Sequence, residues 1–197
     1  SSGNNYHVDI AKNFTLGASG QFNANAGTVN VGGSIDLTGT MNEGTSTFVC
    51  DTSTSGTIKD GEFYNLTVAK QTNFSNMTQS NSRCTVGNNL TISFGKYTLS
   101  ASLDLDVNGS INLSSAFSTL ATNANSNITC GANFTSSGTV SGAATLTLDG
   151  ATAANLKVTA KSVTFVMNKS ANTTKVTQTG NVSLGDITLT RGAYGIG

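Results

Sequence analysis

Apolar and polar residues alternate through most of this chain, and short segments rich in Gly and Asn interrupt the alternation. Residues 29–37 (VNVGGSIDL) and 105–113 (LDVNGSINL) share one order: apolar, polar, apolar, three bend residues, then apolar, polar, apolar. A period of two is typical of β-strands, and Gly and Asn are favoured at sharp bends because they tolerate left-handed backbone angles. The pattern therefore predicts an all-β chain in which helix is nearly absent.

The spacing of this motif predicts how the strands are arranged. It recurs in residues 8–16 and 85–92 and, less regularly, in residues 128–136. The last apolar residues before the bend are Ile10, Val31, Val86, Val107 and Cys130. They are separated by 21, 55, 21 and 23 residues, which indicates a unit of about 21 residues with extra units inside the long interval. Such a unit predicts a parallel β-solenoid, whose coils bury their apolar faces by stacking on one another.

This fold leads to further expectations. Val31 and Val107 are predicted to occupy equivalent inward positions, whereas Asp36 and Asn112 point outward. The segment QTNFSNMTQSNSR, residues 71–83, alternates weakly and is expected to bulge from the rod. Eight or nine coils with a spacing of about 4.8 Å would form a rod roughly 40 Å long. The absence of Pro fits a solenoid, because most backbone N–H groups must reach a neighbouring coil.

A longer repeat overlays the short one. Residues 44–51 (GTSTFVCD) are similar to residues 142–149 (GAATLTLD), and residues 65–68 (NLTV) to residues 155–158 (NLKV). We therefore expect one elongated solenoid over residues 1–197, built from roughly two imperfect modules of about 90 to 98 residues. The alternative fold is a pilin-like β-sandwich that donates its N-terminal strand to a neighbouring subunit.

Composition and charge narrow the function. The chain has 22 Gly, no Trp, only 10% charged residues and a net charge of zero. Nucleic-acid binding is disfavoured because no basic stripe is present to neutralise phosphates, and no apolar run is long enough to predict a membrane span. The first residues lack the basic start and apolar run of a signal peptide, so an exported protein would be represented here by its mature form or a fragment.

Three segments carry a resemblance to a known class of proteins. They are GTSTFVCD, FYNLTVAK in residues 63–70 and TVGNNLTI in residues 85–92. They resemble the degenerate repeats of large secreted bacterial and archaeal surface proteins and adhesins that form parallel β-helices. The resemblance implies an extracellular or cell-surface protein that is elongated and largely structural.

Few residues suggest catalysis or metal binding. His7 is the single histidine, and no Cys or His cluster has the spacing of metal ligands. Asp104 and Asp106 are two residues apart on one predicted outward face and are the best acid–base pair, but no third acid is near them in sequence. Calcium binding there is also disfavoured, because calcium-binding solenoids carry more Asp. We expect no enzyme activity, catalytic residue, metal or cofactor.

The three cysteines, Cys50, Cys84 and Cys130, are widely spaced and contain no CxxC motif. A buried, apolar role is the first interpretation, since free Cys packs as a small hydrophobic residue. One disulfide with a remaining thiol, or a thiol that joins two subunits, is the alternative.

Asn-x-Ser/Thr sequons are frequent. The twelve candidate glycosylation sites are Asn13, Asn65, Asn73, Asn76, Asn89, Asn108, Asn112, Asn127, Asn133, Asn168, Asn172 and Asn181. Glycans would place these side chains outside the rod. The motif also arises without glycosylation wherever an Asn at a bend precedes an outward Thr, so both readings stay open.

The ends of the predicted solenoid suggest how it is used. Strand-like sequence begins by Tyr6 and continues almost to the last residue, with no polar capping helix. We expect identical subunits to stack head to tail in an extracellular filament, with Tyr6, Val8, Ile10, Tyr194 and Ile196 as candidate contacts. The alternatives are a donor-strand pilin and a carbohydrate-binding fibre such as an adhesin stalk or a viral tail spike.

Overall fold

The computed structural model describes residues 6–81, 84–160 and 162–197, and these residues form a parallel β-solenoid of about nine turns. The described residues contain 27 strands and no helix. The strands of the first half are β1 (His7–Ile10), β2 (Phe14–Leu16), β3 (Gln21–Asn23), β4 (Thr28–Val31), β5 (Ile35–Leu37), β6 (Thr40–Asn42), β7 (Thr47–Cys50), β8 (Gly56–Lys59), β9 (Gly61–Phe63), β10 (Asn65–Ala69), β11 (Asn76–Gln79), β12 (Cys84–Val86) and β13 (Leu90–Leu99). Those of the second half are β14 (Leu105–Val107), β15 (Ile111–Leu113), β16 (Ser118–Ala121), β17 (Ser126–Cys130), β18 (Phe134–Ser136), β19 (Thr139–Ser141), β20 (Ala144–Leu148), β21 (Ala154–Lys157), β22 (Thr159–Ala160), β23 (Thr164–Asn168), β24 (Lys175–Gln178), β25 (Ser183–Leu184), β26 (Ile187–Arg191) and β27 (Ala193–Ile196).

Each coil contributes one strand to each of three faces. Face 1 contains β1, β4, β7, β10, the first part of β13, β15, β18, β21, β24 and β27. Face 2 contains β2, β5, β8, β11, the second part of β13, β16 and β19, followed by the pair β22 and β25. Face 3 contains the pair β3 and β6, followed by β9, β12, β14, β17, β20, β23 and β26. Faces 1 and 2 form one sheet because β13 runs through the corner between them.

The predicted solenoid is confirmed, and the alternative β-sandwich is wrong. Every hydrogen-bonded strand pair among the described residues is parallel, whereas a sandwich requires antiparallel partners. β1, which the sandwich would donate to a neighbour, pairs in register with β4 of its own chain. The coil length varies between 18 residues, from Phe48 to Leu66, and 25 residues, from Ala69 to Phe94 beyond the register shift in β13.

The core consists of apolar columns that run along the rod. On face 1, Leu66, Leu90, Ile111 and Phe134 lie directly above one another, and all four are fully buried. A single apolar side chain in one coil would remain in contact with water above and below. Each additional coil covers the apolar side chains of the coil beneath it. The alternation of apolar and polar residues therefore becomes a single core that extends through the stack.

One expected equivalence is wrong. Val31 is buried at the end of β4 on face 1, whereas Val107 is buried at the end of β14 on face 3. The two copies of the nonapeptide therefore form different corners, one between faces 1 and 2 and the other between faces 3 and 1. This explains the 55-residue interval between Val31 and Val86, which covers two coils and two further faces.

The segment expected to bulge is part of the rod instead. It contains β11, which pairs with β8 below and with β13 above. Met77 and Gln79 are buried, so this strand contributes to the core although its polar residues weaken the alternation. Phe74, in the preceding turn, is exposed, and Ser82 and Arg83 lie outside the described residues.

Asp36 and Asn112 lie on the outer surface between buried neighbours. Asp36 forms a 3.2 Å ion pair with Lys59 in the next coil. Asn112 accepts a 3.1 Å hydrogen bond from the Thr135 hydroxyl, also one coil further. Both side chains therefore join neighbouring coils.

Two regions about 98 residues apart have the same local structure on different faces. The strand that precedes Lys70 and the strand that precedes Lys169 each pair with a strand that contains a register shift. Gly95 and Gly192 lie at these shifts, with positive φ angles of 80° and 114°. The first region lies at the corner of faces 1 and 2 and the second at the corner of faces 3 and 1. The division of the chain into two modules remains a prediction.

Candidate assembly and modification sites

The first coil has unpaired strand edges. β1, β2 and β3 each pair only with the strand above them among the described strands, so their lower edges carry free backbone hydrogen-bonding groups. Tyr6 is 71% exposed, Val8 is 39% exposed, and Ile10 is half-buried. Phe14 and Phe22 form an edge-to-face pair, with 5.1 Å between ring centroids, and neither is fully covered. This end therefore presents apolar side chains and open strand edges together.

The last coil has the complementary edges. β25, β26 and β27 each pair only with the strand below among the described strands. Ile187 and Leu189 are about half exposed, and Ile196 is 82% exposed. Tyr194 is half-buried, and its hydroxyl donates a 3.2 Å hydrogen bond to Gln178. Sequence reasoning named Tyr194 and Ile196 but missed the β26 residues, although the alternation in ITLTR could have indicated them.

The sequon asparagines fall into two groups. The exposed ones are Asn13, Asn73, Asn108, Asn127, Asn168, Asn172 and Asn181. The half-buried ones are Asn65, Asn76, Asn89, Asn112 and Asn133. Several half-buried asparagines lie at corners of the solenoid, where the next coil packs against their side chains and partly covers them.

Corner asparagines form a ladder of side-chain to backbone hydrogen bonds. The Asn65 side-chain oxygen accepts from the Asn89 N–H at 3.3 Å, and the Asn89 oxygen accepts from the Ser110 N–H at 3.0 Å. Further along the same corner, the Asn133 oxygen accepts from the Asn155 N–H at 2.7 Å. The Asn89 and Ser110 donors lie in bends and the Asn155 donor lies near the start of β21, and a side-chain oxygen satisfies each of them. These side chains therefore hold neighbouring coils in register.

The acidic pair that could have suggested catalysis takes part in a similar ladder. One Asp104 oxygen accepts hydrogen bonds from the Asn127 N–H at 3.2 Å and from its side-chain amide at 2.9 Å. One Asp106 oxygen accepts from the Thr129 hydroxyl at 2.5 Å. Both contacts lie between consecutive coils of face 3, so these carboxylates join neighbouring coils.

His7 lies on the outer surface of β1. It forms a 2.9 Å contact with the Asp9 carboxylate, and both side chains are more than half exposed. Asn30, one coil above, donates to the same carboxylate at 2.9 Å. Within the described ranges, no group of three or more His, Cys, Asp or Glu side chains could hold a metal ion.

The three cysteines are free and fully buried. Burial raises the pKa of each thiol, Cys50, Cys84 and Cys130, from its ordinary value of 9.0 to about 12. A thiol with so high a pKa is protonated at neutral pH and is a poor nucleophile. The cysteines therefore pack as small apolar residues, and no disulfide is formed.

Two buried lysines were not predicted. Burial lowers the pKa of Lys70 and of Lys169, while nearby Cys and Asp side chains oppose the shift. Lys169 donates a 3.0 Å hydrogen bond to the Gly131 carbonyl, whereas the Lys70 ammonium has no hydrogen-bond partner among the described residues. Lys at the end of a strand usually indicates exposure, so the sequence held no signal for this placement.

Face 3 is interrupted between its second and third coils. β6 pairs with β3 and β9 pairs with β12, but no ladder joins β6 to β9. A cleft of about 570 Å³ lies at this break, with Met41 on its lower wall and Asp60 and Glu62 on its upper wall. Asp60 adopts a positive φ of 51° at the bend that leads into β9.

No protein family, no curated protein and no solved structure matches this chain. The described part of the chain also contains no helix that is long and apolar enough to span a membrane.

Proposed function

We propose that this protein is a structural, non-enzymatic subunit of an extracellular filament or cell-surface fibre, in which identical subunits stack end to end. The observation that carries the proposal is that both ends of the described rod combine unpaired strand edges with exposed apolar side chains. An open edge is a template for pairing with another strand, and heterologous contacts of this kind generate open filaments.

Two features of the rod favour this role. Side-chain ladders and apolar columns connect each coil to the next, so force along the axis is distributed over many parallel hydrogen bonds. The net charge is zero and only 10% of residues are charged, so electrostatic repulsion between stacked subunits is weak.

The first prediction concerns polymerisation. We expect purified protein to form unbranched filaments, and Leu189→Lys to lower the mass of polymer at least about tenfold, because stacking would bury an unpaired ammonium. The matched control is Thr188→Lys, whose side chain lies on the outer surface of the same strand and should leave assembly intact. Sedimentation and negative-stain electron microscopy measure both variants.

Monodisperse wild-type particles at every concentration tested would contradict the proposed function. Equal polymerisation of both lysine variants would show that the inward apolar side chains of β26 do not take part in subunit stacking. Thermal unfolding of each variant separates an effect on assembly from an effect on folding.

We further propose that native protein carries glycans on exposed sequons when its host has the required machinery. Mass spectrometry of glycopeptides from native material should find occupancy among the exposed sites, for example Asn108, Asn168 and Asn172. Asn89 and Asn133 should be unmodified, because a glycan there would have to lie between coils that their side chains connect. Full occupancy of Asn89 or Asn133, or no glycan at any sequon in a glycosylating host, would contradict this proposal.

A further inference from the structure

Within this chain, similar corners lie on top of one another. Residues 85–92 lie directly below residues 105–113, and residues 128–136 lie above these in the same register. At another corner, residues 8–16 lie directly below residues 29–37. Stacked corners share their bend chemistry, since the residue before the second strand is Asn or Ser in all five.

The last coil repeats the sequence pattern of the first. β2 reads FTL and β26 begins ITL, and each is followed by a Gly-containing turn and a strand with a central aromatic residue. That strand lies within GQFNA in the first coil, residues 20–24, and within GAYGI in the last, residues 192–196. The corner between β26 and β27 therefore resembles the corner between β2 and β3, although its bend is one residue shorter. Because similar corners stack within the chain, we expect the β2–β3 corner of one copy to lie on the β26–β27 corner of another.

The position of the open edges defines which strands can meet. The uppermost strands are β25 on face 2, β26 on face 3 and β27 on face 1, so the next strand of a continuous solenoid would lie on β25. The lowest strands are β1 on face 1, β2 on face 2 and β3 on face 3. The chain rises continuously from face to face, so each end of the solenoid has a step and is not a flat plane. Two ends fit without a gap or an overlap only when β1 of the next copy takes the position of the strand that would follow β27.

Resting on the proposed head-to-tail function, we propose that the next copy docks with a rotation of one face, so that β1, β2 and β3 pair with β25, β26 and β27. In this register Phe14 covers Ile187 and Leu16 covers Leu189, while Thr15 and Thr188 lie side by side on the outer surface. The aromatic ring of Phe22 lies above Tyr194. Every exposed apolar residue of β26 is thereby buried against an apolar residue of the same type of strand.

The corner residues add a polar contact to this interface. Asn13 immediately precedes β2 and Asn89 immediately precedes β13, and each side-chain oxygen accepts an N–H from the coil above, at 2.8 and 3.0 Å. Asp186 immediately precedes β26 and is exposed. In the rotated register its carboxylate accepts the N–H of the next copy's Asn13 and lies beside the next copy's Lys12, a charge-assisted contact.

Docking without rotation does not form these contacts. It would place β26 below β3 and the Asp186 corner below the turn GASG, residues 17–20, which contains neither an Asn nor a cation. With β3 stacked directly on β26, β1 of the next copy would also lie on face 1 at the same level as β27. The two ends would therefore overlap instead of fitting together.

Cysteine crosslinking distinguishes the registers. Thr188→Cys protein is mixed with one of three partner variants, Thr15→Cys on β2, Asn23→Cys on β3 or Asp9→Cys on β1. In-register parallel strands are about 4.8 Å apart, within the range of roughly 4.4–6.8 Å that a disulfide spans. We expect Thr15→Cys to give at least about tenfold more disulfide-linked dimer than the other two, by non-reducing electrophoresis. Wild-type protein is the control, since its buried thiols have pKa values of about 12 and should not crosslink.

Each outcome has a defined meaning. Filaments in which Asn23→Cys or Asp9→Cys crosslinks best would overturn the rotation and leave the proposed function standing. Monomers with no crosslink in any mixture would overturn both. A double variant, Thr15→Cys with Thr188→Cys, should give a ladder of covalent oligomers, and thermal unfolding confirms that each variant is folded.

Discussion

Raising the pH from about 8 to about 12 is expected to destabilise the solenoid by several kcal/mol through its buried thiols. An unfolded chain ionises its thiols near their ordinary pKa of 9.0, whereas burial raises the pKa of Cys50, Cys84 and Cys130 to about 12. Between these values the unfolded state binds fewer protons than the folded state, so the stability present below the ordinary pKa is lost as the pH rises. Three pKa units correspond to about 4 kcal/mol for each thiol.

Other buried groups also change the free energy of unfolding in this range of pH, and the direction of each change follows from its pKa shift. Burial raises the pKa of Tyr97 well above its ordinary value of 10.0, which adds to the alkaline loss. Lys70 and Lys169 have lowered pKa values, so their contribution increases stability as the pH rises towards 10.5. Lys70 lies near Cys50 and Lys169 near Cys130, but burial is the largest cause of each thiol's raised pKa. The three thiols and Tyr97 also outnumber the two lysines, so we expect the loss to dominate above about pH 10.

Urea unfolding at a series of pH values measures this effect. The comparison protein carries Cys50→Ala, Cys84→Ala and Cys130→Ala, which remove the three ionisable groups at a packing cost that does not itself depend on pH. Its free energy of unfolding should fall much less between about pH 9 and about pH 12. Parallel curves for the two proteins would show that the thiols do not ionise on unfolding and would contradict their burial.

Much of the fold was accessible from the sequence, because alternation reports directly which side chains face the core. The Ile, Leu and Val residues of the repeated motif are buried as that pattern requires, except Val8 and Ile10 of the first coil, which no described strand covers from below. Alternation does not report which face a strand occupies, since all three faces have the same chemistry. Val31 and Val107 were therefore assigned to one position, although they lie on different faces.

The candidate sites were less accessible. Lys70 is buried because it follows a strand whose partner in the next coil shifts register near Gly95, and this depends on a contact between distant segments. The cleft at face 3 likewise arises from a missing pairing between β6 and β9, which neither strand reveals by itself. The twelve sequons could be counted, but their division into exposed and half-buried groups required the stacking of coils.

The same stacking makes one glycine critical. Gly142 has a φ of 93°, and a Cβ atom at this position would lie 1.9 Å from the Thr122 carbonyl oxygen of the coil below. The Ser141 carbonyl beside it accepts hydrogen bonds from the N–H and the hydroxyl of Thr122, at 2.8 and 2.9 Å, so neither segment can move without losing them. We expect Gly142→Ala to lower the free energy of unfolding by at least about 3 kcal/mol, from backbone strain and steric overlap together.

Gly87→Ala is the matched control for this substitution. Gly87 also lies at a corner, but it has no positive φ, and its nearest neighbour would be 3.7 Å from an added Cβ. Its effect should stay within about 0.5 kcal/mol. Because coils pack mainly against their immediate neighbours, a clash between two coils should also uncouple the parts of the rod on either side, so Gly142→Ala should unfold in two steps or with a reduced m-value. A single transition that coincides with that of Gly87→Ala would mean that the two coils are not stacked at Gly142 as described.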